Sequence, residues 1–110
     1  MPFSAELATY AVYYFGKKTD NVKALIYAKD ADNNLRAFLY FVENGADLLS
    51  NSEVVSTGAP WCRIWYHIDQ FPAVIDILRN EKPVWVNYLS PTFAQIFTGS
   101  EPIGEGELGL

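Results

Sequence analysis

The chain has 110 residues, half of them apolar, with seven Phe, seven Tyr and three Trp, and a net charge of −5. That length suits one domain, and the aromatic content excludes both a disordered chain and a low-complexity repeat. A single cysteine, Cys62, excludes an internal disulfide framework and points to a reducing, cytosolic setting.

In chain order, residues 4–15 come first and carry mixed signals. Ser4 suits a helix cap and Gly16 a helix stop, while Tyr10, Val12, Tyr13, Tyr14 and Phe15 favour a strand, which is the reading adopted. Residues 22–29 and 35–42 are two eight-residue runs of branched and aromatic side chains between polar punctuation. They predict a β-hairpin. Residues 44–60 hold Asn44-Gly45, Ser50, Asn51, Ser52, Gly58 and Pro60 and read as a long loop, with room for one helical turn. Residues 61–68 are a strand by composition. Over 69–82, Phe71, Val74, Ile75 and Leu78 recur at the spacing of one helical face, with Pro72 in the first turn and Pro83 as the stop. Residues 84–89 and 93–98 form a second hairpin about Ser90-Pro91-Thr92. The domain is expected to span 1–99. Residues 100–110 carry Glu101, Glu105 and Glu107 with no base and are expected to be a flexible acidic tail. The rest of the chain, with ten acids against eight bases, is close to neutral.

One helix among five or six strands predicts an α+β fold, an antiparallel meander sheet with the helix at about 69–82 packed on one face. Alternation along each strand separates two sets of side chains. One set is apolar throughout: Val22, Ala24, Ile26 and Ala28; Leu35, Ala37, Leu39 and Phe41; Cys62, Ile64, Tyr66 and Ile68; Val84, Val86 and Tyr88. It is the expected helix side. The other set holds Tyr27, Arg36, Phe38, Tyr40, Trp61, Arg63, Trp65, His67 and Trp85, together with Lys23 and Lys29. It has all three tryptophans, half of the basic residues and no acid. A solvated face does not spend three Trp, and a core does not hold four cations. Aromatics interleaved with Arg are the composition of protein interfaces and of single-stranded nucleic-acid platforms. The plainer alternative is a second core, closed by the N-terminal segment or by the 44–60 loop.

Several motifs fail on physical grounds. Gly104 to Gly109 spell GxGxxG, but without a flanking strand and helix, and with two glutamates where phosphate would sit. Asp30 to Asn34 resemble the opening of a calcium loop, yet its obligatory Gly and Glu positions are Leu35 and Phe41. Cys62 and His67 are the only thiol and imidazole, and five residues along one strand places them on opposite faces. One Cys and one His are too few for a zinc site. The expected function is therefore a non-enzymatic interaction module with no catalytic residues, metal or cofactor, homodimeric through the aromatic and basic face or bound to another protein through it. The alternatives are a small-ligand carrier with an aromatic cleft under the 44–60 loop, and single-stranded nucleic-acid binding on the same face. No apolar run approaches the roughly 20 residues of a membrane-spanning helix, and the first fifteen residues lack a basic leader; both favour the cytosol over a membrane.

Overall fold

The computed structural model describes residues 2–55, 58–100 and 103. Residues 4–15 are extended, as their aromatic and branched side chains favour, but they serve two sheets. β1 (Phe3–Leu7) and β2 (Thr9–Tyr14) are separated by Ala8 alone, whose amide donates to the Lys29 carbonyl at 2.8 Å as the chain bends from one sheet into the other.

β3 (Val22–Lys29) and β4 (Leu35–Val42) form the expected hairpin with the expected ends. Asp30 organises its turn: one carboxylate oxygen accepts from the amides of Asp32 and Asn34 at 2.9 Å, and the other meets Arg36 Nη1 at 3.1 Å. Asn33 takes the left-handed conformation (φ 67°), which Asn tolerates better than most residues. The turn uses the Asp30 carboxylate fully, so these polar residues need no cation to explain them. The Asn34 amide, followed by the Arg36 guanidinium, holds the Asp30 carboxyl below its ordinary value. A lowered folded-state value adds stability that is present above the unfolded value near pH 4 and lost as pH falls through the folded one. Asp30→Asn is expected to lower stability at pH 7 and to flatten the acid-side loss, measured by urea unfolding at a series of pH values.

The chain continues through β5 (Ser52–Val54), β6 (Trp61–His67), a 3-10 turn (Ile68–Gln70), α1 (Phe71–Asn80), β7 (Val84–Ser90) and β8 (Phe93–Thr98). The expected α+β class holds, with one helix packed on mostly antiparallel strands, but the single meander does not. There are eight described strands in two sheets, ordered β2-β3-β4-β6-β5 and β1-β7-β8. β4 and β6 are parallel, Ala37 opposite Cys62 through Val42 opposite His67. This pairing accounts for the long 44–60 segment, because parallel neighbours cannot be joined by a tight turn. The chain passes over the C-terminal end of β6, descends its far edge as β5 and returns. Asn44 Oδ1 accepts from the Asp69 amide, the Ala46 carbonyl meets His67 Nε2 at 2.8 Å, and Asn51 Oδ1 accepts from the Trp65 amide. Gly45 sits in this passage at φ 87°, where a side chain would be strained.

α1 is shorter than expected because its first turn is the separate 3-10 turn, tied down by the His67 amide donating to Gln70 Oε1 at 2.9 Å. Phe71, Val74, Ile75 and Leu78 pack against the core cluster, on the Cys62, Ile64, Tyr66 and Ile68 side. The same cluster takes Ala24, Ile26 and Ala28 from β3, Ala37, Leu39 and Phe41 from β4, and Ala5, Val86 and Tyr88 from the second sheet. The five-stranded sheet thus has one covered face, shared by the helix and the three-stranded sheet. Among the described residues no helix is long and apolar enough to cross a membrane. The acidic tail and its GxGxxG lie outside the described residues, Ser100 and Ile103 excepted.

Candidate functional site

The uncovered face of the five-stranded sheet carries a connected group of rings. Register places Tyr27 opposite Phe38, Phe38 beside Arg63, and Tyr40 beside Trp65. Ring centroids lie 5.7 Å apart for Tyr27–Phe38 and for Phe38–Tyr40, 5.6 Å for Phe38–Trp61 and 4.3 Å for Tyr40–Trp65. Six of the nine residues expected on this face, Tyr27, Phe38, Tyr40, Trp61, Arg63 and Trp65, are brought together here. All six are half-buried.

The other three have different positions. His67 lies on the same face but at its end, where its ring fixes the Ala46 carbonyl and so holds the passage over β6. Arg36 lies at the margin and is engaged there. Its Nε donates to the Pro60 carbonyl at 2.9 Å, its Nη1 meets Asp30, and its guanidinium covers the Phe3 ring at 5.4 Å. Arg36 is thus a clamp between the β3–β4 turn and the start of β6. Trp85 is a correction. It belongs to β7 in the three-stranded sheet, facing outward and stacked on Phe97 at 6.4 Å. Alternation assigned Trp85 to the outside correctly, but the inner faces of the two sheets meet in one core, so their outer faces point away from each other.

One ring went unassigned at the sequence level. Tyr13 stacks on Tyr27 at 5.6 Å with the two hydroxyls 3.3 Å apart, extends the group onto β2, and remains 47% exposed. The hydrogen bond to Tyr27 pushes the Tyr13 hydroxyl above its ordinary value. Its parity was readable once residues 4–15 were taken as a strand, but not where that strand pairs.

The cations border the rings. Lys23 and Lys29 sit at opposite ends of β3, the latter with its ammonium 5.9 Å from the Tyr27 centroid. Arg63 lies over Trp61 at 4.9 Å and reaches toward Ser52 on β5. No acid occupies an outward position on the five strands: the only carboxylate among them, Glu53, is registered with buried Cys62 on the inner side. None of the described elements lies across the ring group. β1 and β2 are built into the sheets, and the passage over β6 closes only the Val42–His67 end.

The Cys62 thiol is not placed for nucleophilic attack. Cys62 is fully buried, with its thiol pushed up to about 12 by burial and, secondarily, by the Glu53 carboxylate. His67 is on the opposite face of the same strand. Since only the thiolate attacks, Cys62 is expected to resist a water-soluble disulfide reagent at pH 8 in the native state and to react on unfolding in urea. Rapid native modification would overturn the inner-face assignment of β6. Among the described residues no group of three His, Cys, Asp or Glu side chains converges to hold a metal. Among the described residues are hollows of about 450 Å3 where β1 turns into β2 and about 530 Å3 between α1 and β8. Neither is lined by the 44–60 segment. Scans against protein-family models, curated proteins and solved structures each found no match to this chain.

Proposed function

We propose that the chain is a non-enzymatic interaction module that pairs with a second copy of itself through the ring-bearing face of the five-stranded sheet. The observation that carries the reading is the continuous group of six rings across β2, β3, β4 and β6, bordered by Lys23, Lys29 and Arg63 and crossed by none of the described elements. Large rings at the centre with charges at the margin are the anatomy of protein interfaces. A two-fold axis lets one such face supply both halves of the contact, as two sheets packing face to face. The lone, buried thiol suits a cytosolic module.

Ring geometry favours a protein partner over single-stranded nucleic acid. Bases stack on free ring faces. Tyr40 and Trp65 lie on each other at an interplanar angle of 17°, and Arg63 covers Trp61, so much of that surface is already used. The test is sedimentation equilibrium of the full chain at micromolar concentration, with twice the chain mass expected. A monomer at every concentration removes the reading. Tryptophan quenching by a short single strand, weakening steeply with salt, would reassign the face to nucleic acid.

A further inference from the structure

The groove of about 530 Å3 between α1 and β8 lies on the inner side of the five-stranded sheet, away from the ring face. Ala73, Val74 and Ile77 form its helix wall, Ala94 and Ile96 its strand wall, and Tyr66 also lines it. β8 is the last strand of its sheet, with no neighbour beyond β7 among the described residues. Its backbone has a definite free side. The Gly99 amide donates to the Pro83 carbonyl at 3.4 Å, and the register continues through Trp85–Phe97 and Asn87–Gln95. Hydrogen-bonded pairs alternate along an antiparallel ladder, so the amides and carbonyls of Ala94 and Ile96 point away from β7. No charged or proline residue guards this edge, since β8 reads Phe-Ala-Gln-Ile-Phe-Thr.

Two polar groups border the groove. Among the described residues the hydroxyl of the half-buried Tyr66 makes no hydrogen bond. Burial keeps it protonated, pushed up to about 12, and so able to donate. The Asp69 carboxylate, the only charge lining the groove, has no described ion pair or hydrogen bond. Gly99 meets Pro83 just past the C-terminal end of α1, so strand and helix run the same way and Asp69 lies at the Ala94 end.

We propose that this groove binds an extended peptide from another protein as an added strand on β8, with alternate apolar side chains against α1 and a lysine or arginine beside Asp69. A free strand edge selects extended backbone, the apolar walls select alternation, and the lone carboxylate supplies the charge complementarity. The site is separate from the ring face and stands or falls independently of the homodimer.

The test titrates the nitrogen-15-labelled full chain with two blocked hexapeptides, Lys-Val-Ser-Val-Ser-Lys and its counterpart with Glu at both ends. A cation at each end serves either strand direction. The lysine peptide is expected to shift resonances of residues 69–77 and 94–96 and to slow amide exchange of Ala94 and Ile96 at least tenfold. The glutamate peptide is expected to bind at least tenfold more weakly, and Asp69→Lys to reverse that preference. Asp69 is exposed, so this variant tests charge in a folded chain, with amide dispersion as the check. Ala73→Arg, filling the helix wall, is expected to abolish both titrations. No shifts at millimolar lysine peptide, shifts centred elsewhere, or equal affinity for the two peptides would each overturn the proposal.

Discussion

Trp65→Lys is expected to give a folded monomer. Trp65 lies against Tyr40 at 4.3 Å within the ring group, where a two-fold contact would be most desolvated. An ammonium placed there loses hydration without gaining a partner, because the outward positions of the sheet carry no acid. Burying such a charge costs several kcal/mol even after relaxation, which corresponds to a rise in Kd of roughly a hundredfold or more. The inner core is untouched, so amide protection along Cys62, Ile64 and Tyr66 should persist while sedimentation reports one chain. A chain that unfolds would show that the face is a second core. A variant that still dimerises would show that association uses another surface.

Phe41→Ala should have the opposite signature, a large loss of stability whatever the state of association. Phe41 is fully buried and is the largest of the completely enclosed side chains. It stacks on Tyr66 at 5.2 Å and meets the edge of Phe71 at 5.0 Å, so it joins β4, β6 and the first turn of α1. Truncating a buried Phe removes its transfer energy and leaves a cavity, together about 3–5 kcal/mol. Against a total stability of about 5–15 kcal/mol that is severe, and in a domain of this size it lowers Tm by roughly 15 °C or more. Urea unfolding is the measurement, with Phe38→Ala as the contrast. Phe38 is three residues back on the same strand but faces outward, so its removal should cost the monomer far less. Equal losses at the two positions would mean that the two faces of β4 are not distinct.

Positions three residues apart on one strand therefore report different properties, and that division was legible in the sequence. Phe41 and Phe38 fall in opposite alternation classes, and the structure buries the one and leaves the other on the uncovered side. The ends of β3 and β4 were equally legible, since Asp30 to Asn34 are punctuation that only a turn can use. The spacing of Phe71, Val74, Ile75 and Leu78, with Pro72 early and Pro83 as the stop, likewise identified the helix and its buried side. Each of these signals acts within about a dozen residues.

Other features had no local signal. Nothing in Leu7-Ala8-Thr9 marks a change of sheet; no glycine or proline is there, and the bend exists because β7 claims β1 while β3 claims β2. The length of the 44–60 segment was visible, but its use as a passage over β6, with β4 and β6 parallel, depends on contacts between Asn44, Ala46 and Asn51 and residues far along the chain. Trp85 shows the consequence most plainly. Its neighbours in sequence place it on the outside of a strand, whereas the sheet to which that strand belongs is set by pairing with β1, some eighty residues away. The sequence by itself determined which side of β3, β4, β6 and β7 faces the core, because alternation and helical spacing are local properties of the backbone. Only the tertiary structure decided which outward sides adjoin, because strand partners are chosen by long-range pairing, and that choice joined Tyr13 to the ring group and removed Trp85 from it.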